Sequence, residues 1–288
     1  MIPTPAQSDH LAPQLPQMEE SEFAAIADYA KTTFGLHLPL AKKEMVFARL
    51  IKRLRRLGLS DFSTYLAFVK HADHAVERSE FLSALTTNVT QFFRENHHFD
   101  FLRDKLLADL IMKARAGQRV RFWSAGCSAG QEPYSLAMLI LESCPDAPQL
   151  DIKILASDID PRILDTARTG EYPTDQRSAI PAALYKFLKP ATSNEMFAVG
   201  DEPRKLISFA ELNLIEDWPM RQGFDAIFCR NVAIYFDAPT QSRLWHRFAQ
   251  QITSNGHLFI GHSERLSGPA LTQLRSVGIT VYAKTSSP

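Results

Sequence analysis

The sequence predicts an α/β protein in two parts: an all-helical N-terminal domain, then a mostly parallel sheet covered by helices, with a small β-subdomain inserted in it. Three observations predict this. Apolar residues recur at helical spacing from Glu19 to about Leu85, and no strand pattern occurs before Arg119. After Arg119, short apolar runs alternate with amphipathic stretches, the rhythm of strands and covering helices. Between about Tyr185 and Phe209 the pattern alternates weakly and is broken by Pro190, Gly200 and Pro203, which marks the insertion.

Taken in order, residues 1–18 are Pro- and Gln-rich and read as a disordered tail. Ser21 is placed to cap a first helix carrying Phe23, Ile26, Ala27 and Ala30. Val46, Phe47, Leu50, Leu54 and Leu57 form the apolar stripe of a second, which Gly58 stops. A third starts at Ser60-Asp61-Phe62 and turns Tyr65, Leu66 and Val69 inward; Glu77–Leu85 is a fourth. Residues 86–100 then link this domain (19–85) to the second (101–288).

In the second domain Val120–Ser124 is a strand and Glu132–Glu142 a helix, with Pro133 in its first turn, where a missing N–H costs nothing. Asp151–Ala156 is a strand ending at Ser157-Asp158, and Pro161–Arg168 a helix. Phe224–Cys229, Gly256–Gly261 and Ile279–Lys284 are later strands, with a helix at Pro239–Ile252.

Composition narrows the function. The 288 residues carry 32 basic and 32 acidic side chains, so no global field attracts nucleic acid and any charged docking surface is local. Cys127, Cys144 and Cys229 form no C-x-x-C pair and read as free thiols of a reducing cytoplasm. No secretory leader is recognisable, and no apolar run approaches the ~20 residues needed to span a bilayer.

Gly126-Cys127-Ser128-Ala129-Gly130 fits two different chemistries. As G-x-S-x-G it matches the nucleophile elbow of serine hydrolases, and an order Ser128, Asp237, His262 completes a triad on paper. The loop follows the first strand, however, and no oxyanion motif accompanies it. The other reading is a strand-to-helix turn whose glycines let a cofactor approach the backbone. It requires an acid at the end of the next strand to meet ribose hydroxyls, and Asp158 stands there. The third glycine of the dinucleotide fingerprint is absent, which disfavours NAD but not a cofactor without phosphate, such as S-adenosylmethionine. An ordinary tight turn is the third possibility. Arg230 and Asn231, directly after an apolar strand, are placed to line the same crevice.

At these residues the sequence resembles a family. Thr86–Asn96 (TTNVTQFFREN), Phe122–Ser135 (FWSAGCSAGQEPYS), ASDID at 156–160, AELNL at 210–214, Asp225–Asp237 (DAIFCRNVAIYFD) and GHLFIGHSE at 256–264 are similar to motifs of the chemotaxis receptor methyltransferases, the CheR-type enzymes. The likeness runs in order from about Glu19 to Lys284. It implies a Rossmann-like S-adenosylmethionine-dependent methyltransferase domain. It also implies transfer of a methyl group to glutamates on the cytoplasmic coiled-coil bundle of chemoreceptors, giving glutamate methyl esters and S-adenosylhomocysteine. The resemblance assigns Asn88, Thr90, Arg94, Gly126, Glu132, Asp158, Asn213, Leu214, Arg230 and Asn231 to the cofactor pocket. It makes Arg94 and Tyr235 the candidates for positioning the acceptor carboxylate. The expected protein is a cytoplasmic monomer recruited to receptor arrays, without membrane insertion. Two alternatives stand beside it: a serine esterase using Ser128, and a non-catalytic S-adenosylmethionine-binding signalling protein.

Arg49, Lys52, Arg53 and Arg56 share one helix face opposite Val46, Leu50, Leu54 and Leu57. A basic stripe on a neutral protein suits an acidic coiled coil, and in the family the corresponding helix faces the receptor. Arg53→Glu is therefore expected to abolish receptor methylation while sparing cofactor binding. RNA is disfavoured because no stacking aromatics interleave with the stripe. His97-His98 and the His71/His74 pair show no acidic or Cys partner at ligand spacing, so no metal is expected. Some family members grip a receptor-tail pentapeptide with a Gly-rich loop; here residues 191–196 contain no glycine, and pentapeptide independence is expected.

Overall fold

The computed structural model describes residues 17–285, so the tail expected at 1–18 lies almost wholly outside the described residues. The chain divides into two compact units. One holds the described residues up to Tyr29 together with Leu38–Leu85; the other holds Ala30–His37 and everything from Thr86 onward. Residues 86–100 thus fall entirely within the second unit, as does the short segment 30–37.

The first unit is helical. Helix α1 spans Glu20–Phe34, with its residues through Tyr29 in this unit. Helices α2 (Lys43–Leu57), α3 (Phe62–Lys70) and α4 (Ala75–Leu85) follow. Ser21 lies inside α1 rather than before it. Glu22 performs the capping, its Oε2 accepting the Glu19 N–H at 2.9 Å as in the acidic half of a capping box. Gly58 ends α2 in the left-handed conformation (φ 68°), and Asp61 caps α3 by accepting the Thr64 N–H at 2.7 Å. Phe23, Ile26, Val46, Leu50, Leu54, Phe62, Tyr65, Val69 and Phe81 form its core.

The second unit opens with α5 (His97–Phe101), which runs through a π-turn at Leu102–Leu106 into α6 (Leu107–Arg115). The strand-helix series is β1 (Val120–Ala125), α7 (Gln131–Ser143), β2 (Ile152–Asp158) and α8 (Pro161–Thr169). Three short strands, β3 (Glu171–Pro173), β4 (Leu188–Pro190) and β5 (Met196–Val199), form a separate antiparallel sheet in the order β3-β5-β4. Helix α9 (Asp201–Lys205) leads to β6 (Ile207–Glu211). Then come β7 (Phe224–Cys229), α10 (Ala238–Gln251), β8 (Ile252–Ile260), α11 (Ala270–Gln273), β9 (Leu274–Gly278) and β10 (Val281–Lys284).

The main sheet has the order β6-β2-β1-β7-β8-β10-β9, parallel from β6 to β8 and antiparallel at β10 and β9. The insertion therefore begins earlier than expected, at Glu171, and it does not include Ile207–Phe209. Those residues belong to β6, which pairs with Ile154–Asp158. As an edge strand with Ser208 and Glu211 exposed and the rest half-buried, β6 has no continuous apolar run to announce it. Consecutive residues of the central strands face opposite sides. Phe122, Phe228 and Phe259 pack with Phe99, Leu136 and Ile140 on one face, and Trp123, Ile227 and Leu258 with Trp245 and Phe248 on the other. From β1 the chain builds outward to β2 and β6, then returns to place β7 on the other side of β1. That reversal opens a crevice at the carboxyl ends of β1 and β7. Among the described residues no helix is long and apolar enough to cross a membrane.

Candidate functional site

The loop after β1 is shaped by its backbone. The N–H groups of Gly126 and Cys127 both donate to the Ser157 carbonyl, at 2.8 and 2.9 Å, and the Ser128 N–H donates to Asp158 Oδ2 at 2.8 Å. Gly126 has φ 83°, and a Cβ there would lie 2.3 Å from Val232 Cγ2, so only glycine fits. Ser128 also adopts positive φ, at 50°. The turn delivers Glu132 into the first turn of α7, where its Oε1 accepts the Ser124 hydroxyl at 2.6 Å. At the end of β2, Asp158 additionally accepts the Asp160 N–H at 3.1 Å. Burial pushes the Asp158 carboxyl above its ordinary value, and these N–H groups oppose the rise.

Arg230 enters from the loop after β7 with a side chain only 2% exposed. It donates to Glu132 Oε2 at 3.0 Å and to the Arg94 carbonyl, and lies 3.5 Å from Glu95 Oε2. The guanidinium thereby ties α7 to the segment 86–96. That segment is fastened at further points. The Phe93 N–H donates to Ser135 Oγ at 3.0 Å, Asn88 Nδ2 to Asp160 Oδ2 at 3.5 Å, and Ser128 Oγ to the Asn88 carbonyl at 3.4 Å. Phe93 and Glu95 sit at φ 52° and 55°, flanking Arg94 with two left-handed residues. Arg94 Nη1 donates to the Val89 carbonyl at 3.0 Å, and Tyr235 Oη to the Thr87 carbonyl at 3.0 Å. Asn213, after β6, donates to the Thr33 carbonyl at 2.9 Å.

One cleft receives all the cofactor and acceptor candidates. Asn88, Thr90 and Arg94 line it from the 86–96 segment; Gly126, Glu132 and Asp158 from β1, α7 and β2; Asn213 and Leu214 from the loop after β6; Arg230, Asn231 and Tyr235 from the loop after β7. Sequence reasoning missed Phe34 and Leu36, which also line it. They lie far from every motif, and nothing local marks them.

The esterase arrangement is not assembled. Asp237 caps α10 through the Thr240 N–H at 2.9 Å and pairs with Lys31 at 2.8 Å. His262 Nδ1 lies 3.0 Å from Glu95 Oε1, and Ser128 Oγ meets the Asn88 carbonyl rather than an imidazole. The histidine reading also needs correction. His97 and His98 do have an acidic neighbour, since Glu95 comes together with them in space, their ligand atoms within 4.8 Å of one another. Its two oxygens already face His262 and Arg230. Burial would raise the Glu95 carboxyl, but the His262 ring and the Arg230 guanidinium outweigh it and hold it at about 2. Burial and Arg230 lower His98 to about 3, keeping that ring neutral. His74 instead stacks on Phe68. The three cysteines are buried and free, and burial pushes the Cys127 and Cys229 thiols well up.

The basic stripe on α2 divides in two. Arg53 is held inside the first unit, with Nε 3.0 Å from Glu77 Oε1, Nη2 2.5 Å from Glu77 Oε2 and Nη1 3.0 Å from Glu80. Tyr65 donates to the same Glu77 at 2.9 Å. Arg49 caps α4 by donating to the Ala84 and Leu85 carbonyls, both at 3.2 Å. Lys52 and Arg56 are exposed.

Comparison with known proteins identifies the family. Residues 88–283 match the family model described as CheR methyltransferase, SAM binding domain, and residues 21–86 match CheR methyltransferase, all-alpha domain. The chain is 48% identical over 255 residues to a probable chemotaxis protein methyltransferase of Rhizobium etli, covering 88% of this chain and 95% of that one. It is 41% identical over 290 residues to chemotaxis protein methyltransferase 2 of Pseudomonas aeruginosa, covering 98% and 99%. It is 39% identical over 254 residues to the chemotaxis protein methyltransferase of Escherichia coli, covering 87% and 86%.

Proposed function

The chain belongs to the CheR methyltransferase family, and from that premise we propose that it methylates glutamate side chains of chemoreceptor cytoplasmic domains. The observation that carries this reading is the convergence on one cleft of a strand-end acid, Asp158, with a guanidinium, Arg94, and a phenol, Tyr235. The cleft suits S-adenosylmethionine, which would supply an electrophilic methyl group on its sulfonium. Gly126 presents bare backbone to the cleft, with Val232 packed where a Cβ would stand, and Asn231 Oδ1 is buried without a hydrogen-bond partner.

In this reading Asp158 accepts from ribose hydroxyls, while Asn88, Thr90, Glu132, Asn213, Leu214 and Asn231 complete the cofactor's surroundings. Arg230 acts from behind, by holding Glu132 and the 86–96 segment. Arg94 holds the acceptor glutamate through N–H groups not used on Val89, and Tyr235 adds its hydroxyl. A glutamate is already ionised at neutral pH, so no general base is needed. Catalysis then rests on alignment in a site shielded from water. The products are a glutamate methyl ester and S-adenosylhomocysteine.

The partner is an acidic coiled-coil bundle met by exposed Lys52 and Arg56. The protein works as a cytoplasmic monomer recruited to receptor arrays, without nucleic acid. The β4–β5 connection, lacking glycine, leaves it independent of a receptor-tail pentapeptide.

Titration calorimetry with S-adenosylhomocysteine tests the cofactor half, with binding expected in the wild type and lost in Asp158→Ala. Tritiated S-adenosylmethionine and a receptor cytoplasmic fragment test the acceptor half. Label released as methanol by mild alkali is the expected mark of a carboxyl methyl ester. Alkali-stable label would overturn the glutamate reading.

A further inference from the structure

The loop after β8 carries a buried carboxylate that is held by backbone N–H groups, while the neighbouring Arg265 donates to the Glu264 main-chain carbonyl. Glu264 is 4% exposed. Its Oε2 accepts the N–H groups of Gly261 at 2.6 Å and Asn231 at 3.1 Å. Its Oε1 accepts those of Val232 at 3.0 Å and Ile234 at 3.3 Å. Three of the four donors belong to the loop after β7, between 30 and 33 positions earlier in the chain.

The conformation of that loop explains why an anion is there. Asn231 is left-handed (φ 59°) and Val232 right-handed (φ −111°, ψ −46°). Successive residues of opposite hand point their N–H groups into one concavity, a nest for negative charge. Here the chain fills the nest with its own carboxylate. The fit is close: a Cβ on Gly261 would lie 2.7 Å from Asn231 Nδ2 and 2.9 Å from Glu264 Oε2. Without an anion, the part-buried N–H groups of the loop and the buried one of Gly261 would lose their partner, and Asn231 would lose the contact that offsets its strained backbone.

We propose that Glu264 is the positioning residue that fixes the Asn231–Tyr235 segment, setting where Asn231 meets the cofactor and where the Tyr235 hydroxyl meets the acceptor carboxylate. The inference rests on the methyltransferase reading above. Glu264 touches neither reactant and acts only through the loop. Replacement by glutamine keeps the shape but turns an NH₂ group toward N–H donors, so at most one side of the clamp survives. Replacement by aspartate keeps the charge and shortens its reach by one methylene.

The test compares wild type, Glu264→Gln, Glu264→Asp, Tyr235→Phe and the Glu264→Gln/Tyr235→Phe pair. The readouts are S-adenosylhomocysteine Kd, kcat, KM and the urea midpoint. Glu264→Gln is expected to raise Kd and lower kcat by about tenfold each while remaining folded, and Glu264→Asp to recover part of both. The kcat losses of Glu264→Gln and Tyr235→Phe are expected to be less than additive, because both act through one hydroxyl. Wild-type Kd and kcat in Glu264→Gln, or fully additive losses, would overturn the proposal. Should Glu264→Gln fail to fold, Glu264→Asp decides alone: raised Kd and lowered kcat support the proposal, and wild-type values overturn it. A wild type that neither binds S-adenosylhomocysteine nor methylates receptor instead removes the methyltransferase reading.

Discussion

Arg230 Nη1 lies 3.0 Å from Glu132 Oε2, and the same guanidinium donates to the carbonyl of Arg94. One buried cation thus joins α7, the loop after β7 and the segment that presents Arg94. Its electrostatic partners are Glu132 and Glu95, both nearly withdrawn from solvent.

Arg230→Met is expected to strand those carboxylates, costing about 3–5 kcal/mol in stability, as when one member of a buried ion pair is removed. Arg230→Lys keeps the charge but not the planar fork that reaches both Glu132 and the Arg94 carbonyl. It is expected to retain most of the stability and lose at least tenfold in S-adenosylhomocysteine affinity. Urea unfolding and calorimetry on the two variants separate these effects.

Arg53→Glu is not the clean probe of receptor docking that its place on the basic stripe suggested. It would set a third carboxylate against Glu77 and Glu80, where Arg53 now lies. We expect it to destabilise the helical unit by more than about 2 kcal/mol. The probes of docking are Lys52→Glu and Arg56→Glu, expected to leave the melting temperature and cofactor Kd unchanged while raising KM for the receptor severalfold. Thermal unfolding followed by circular dichroism, with methylation kinetics alongside, distinguishes the two classes.

The neutral, buried His98 makes stability depend on pH. Its folded value is about 3 against an ordinary 6.5. Between those values the unfolded chain takes up a proton that the folded chain refuses. Its stabilising contribution is therefore full above pH 6.5 and is lost as pH falls toward 3. The wild type is expected to lose about 2 kcal/mol more than His98→Gln between pH 7 and pH 5. Urea titrations at the two pH values measure the difference. Glu95, held at about 2, contributes its own loss only below its ordinary 4.5.

Ser128 is expected to be chemically inert, because its hydroxyl meets a carbonyl and no imidazole. Ser128→Ala should keep methylation within about threefold of wild type. A fluorophosphonate probe should leave the protein unlabelled, and labelling at Ser128 would restore the esterase alternative.

Part of the candidate cleft was legible because some of its residues sit at the ends of strands that can be read locally, whereas Asn88, Thr90, Arg94, Glu132, Asn213, Leu214 and Tyr235 came only from the family resemblance. Gly126, Asp158 and Asn231 each follow an apolar run, and a parallel sheet brings such ends to one edge whatever the intervening lengths. Capping, the α2 stripe and most helix boundaries follow from contacts within a few residues. The helix at 97–115 and strand β6 were not read, the first because two histidines and a π-turn interrupt its period, the second because an edge strand carries little apolar signal.

By itself the sequence determined the N-terminal helices and the central strands with their covering helices, the glycine that lets the turn after β1 form, and the charged residues available to the cleft. Tertiary structure alone decided what each charge does. It gave Arg53 to Glu77, Arg230 to Glu132, and Glu264 to the N–H groups of a loop distant in sequence. Periodicity and capping are short-range and written in neighbouring residues. A buried charge takes whichever partner the fold brings within about 3 Å, and burial makes that choice costly to leave unmade.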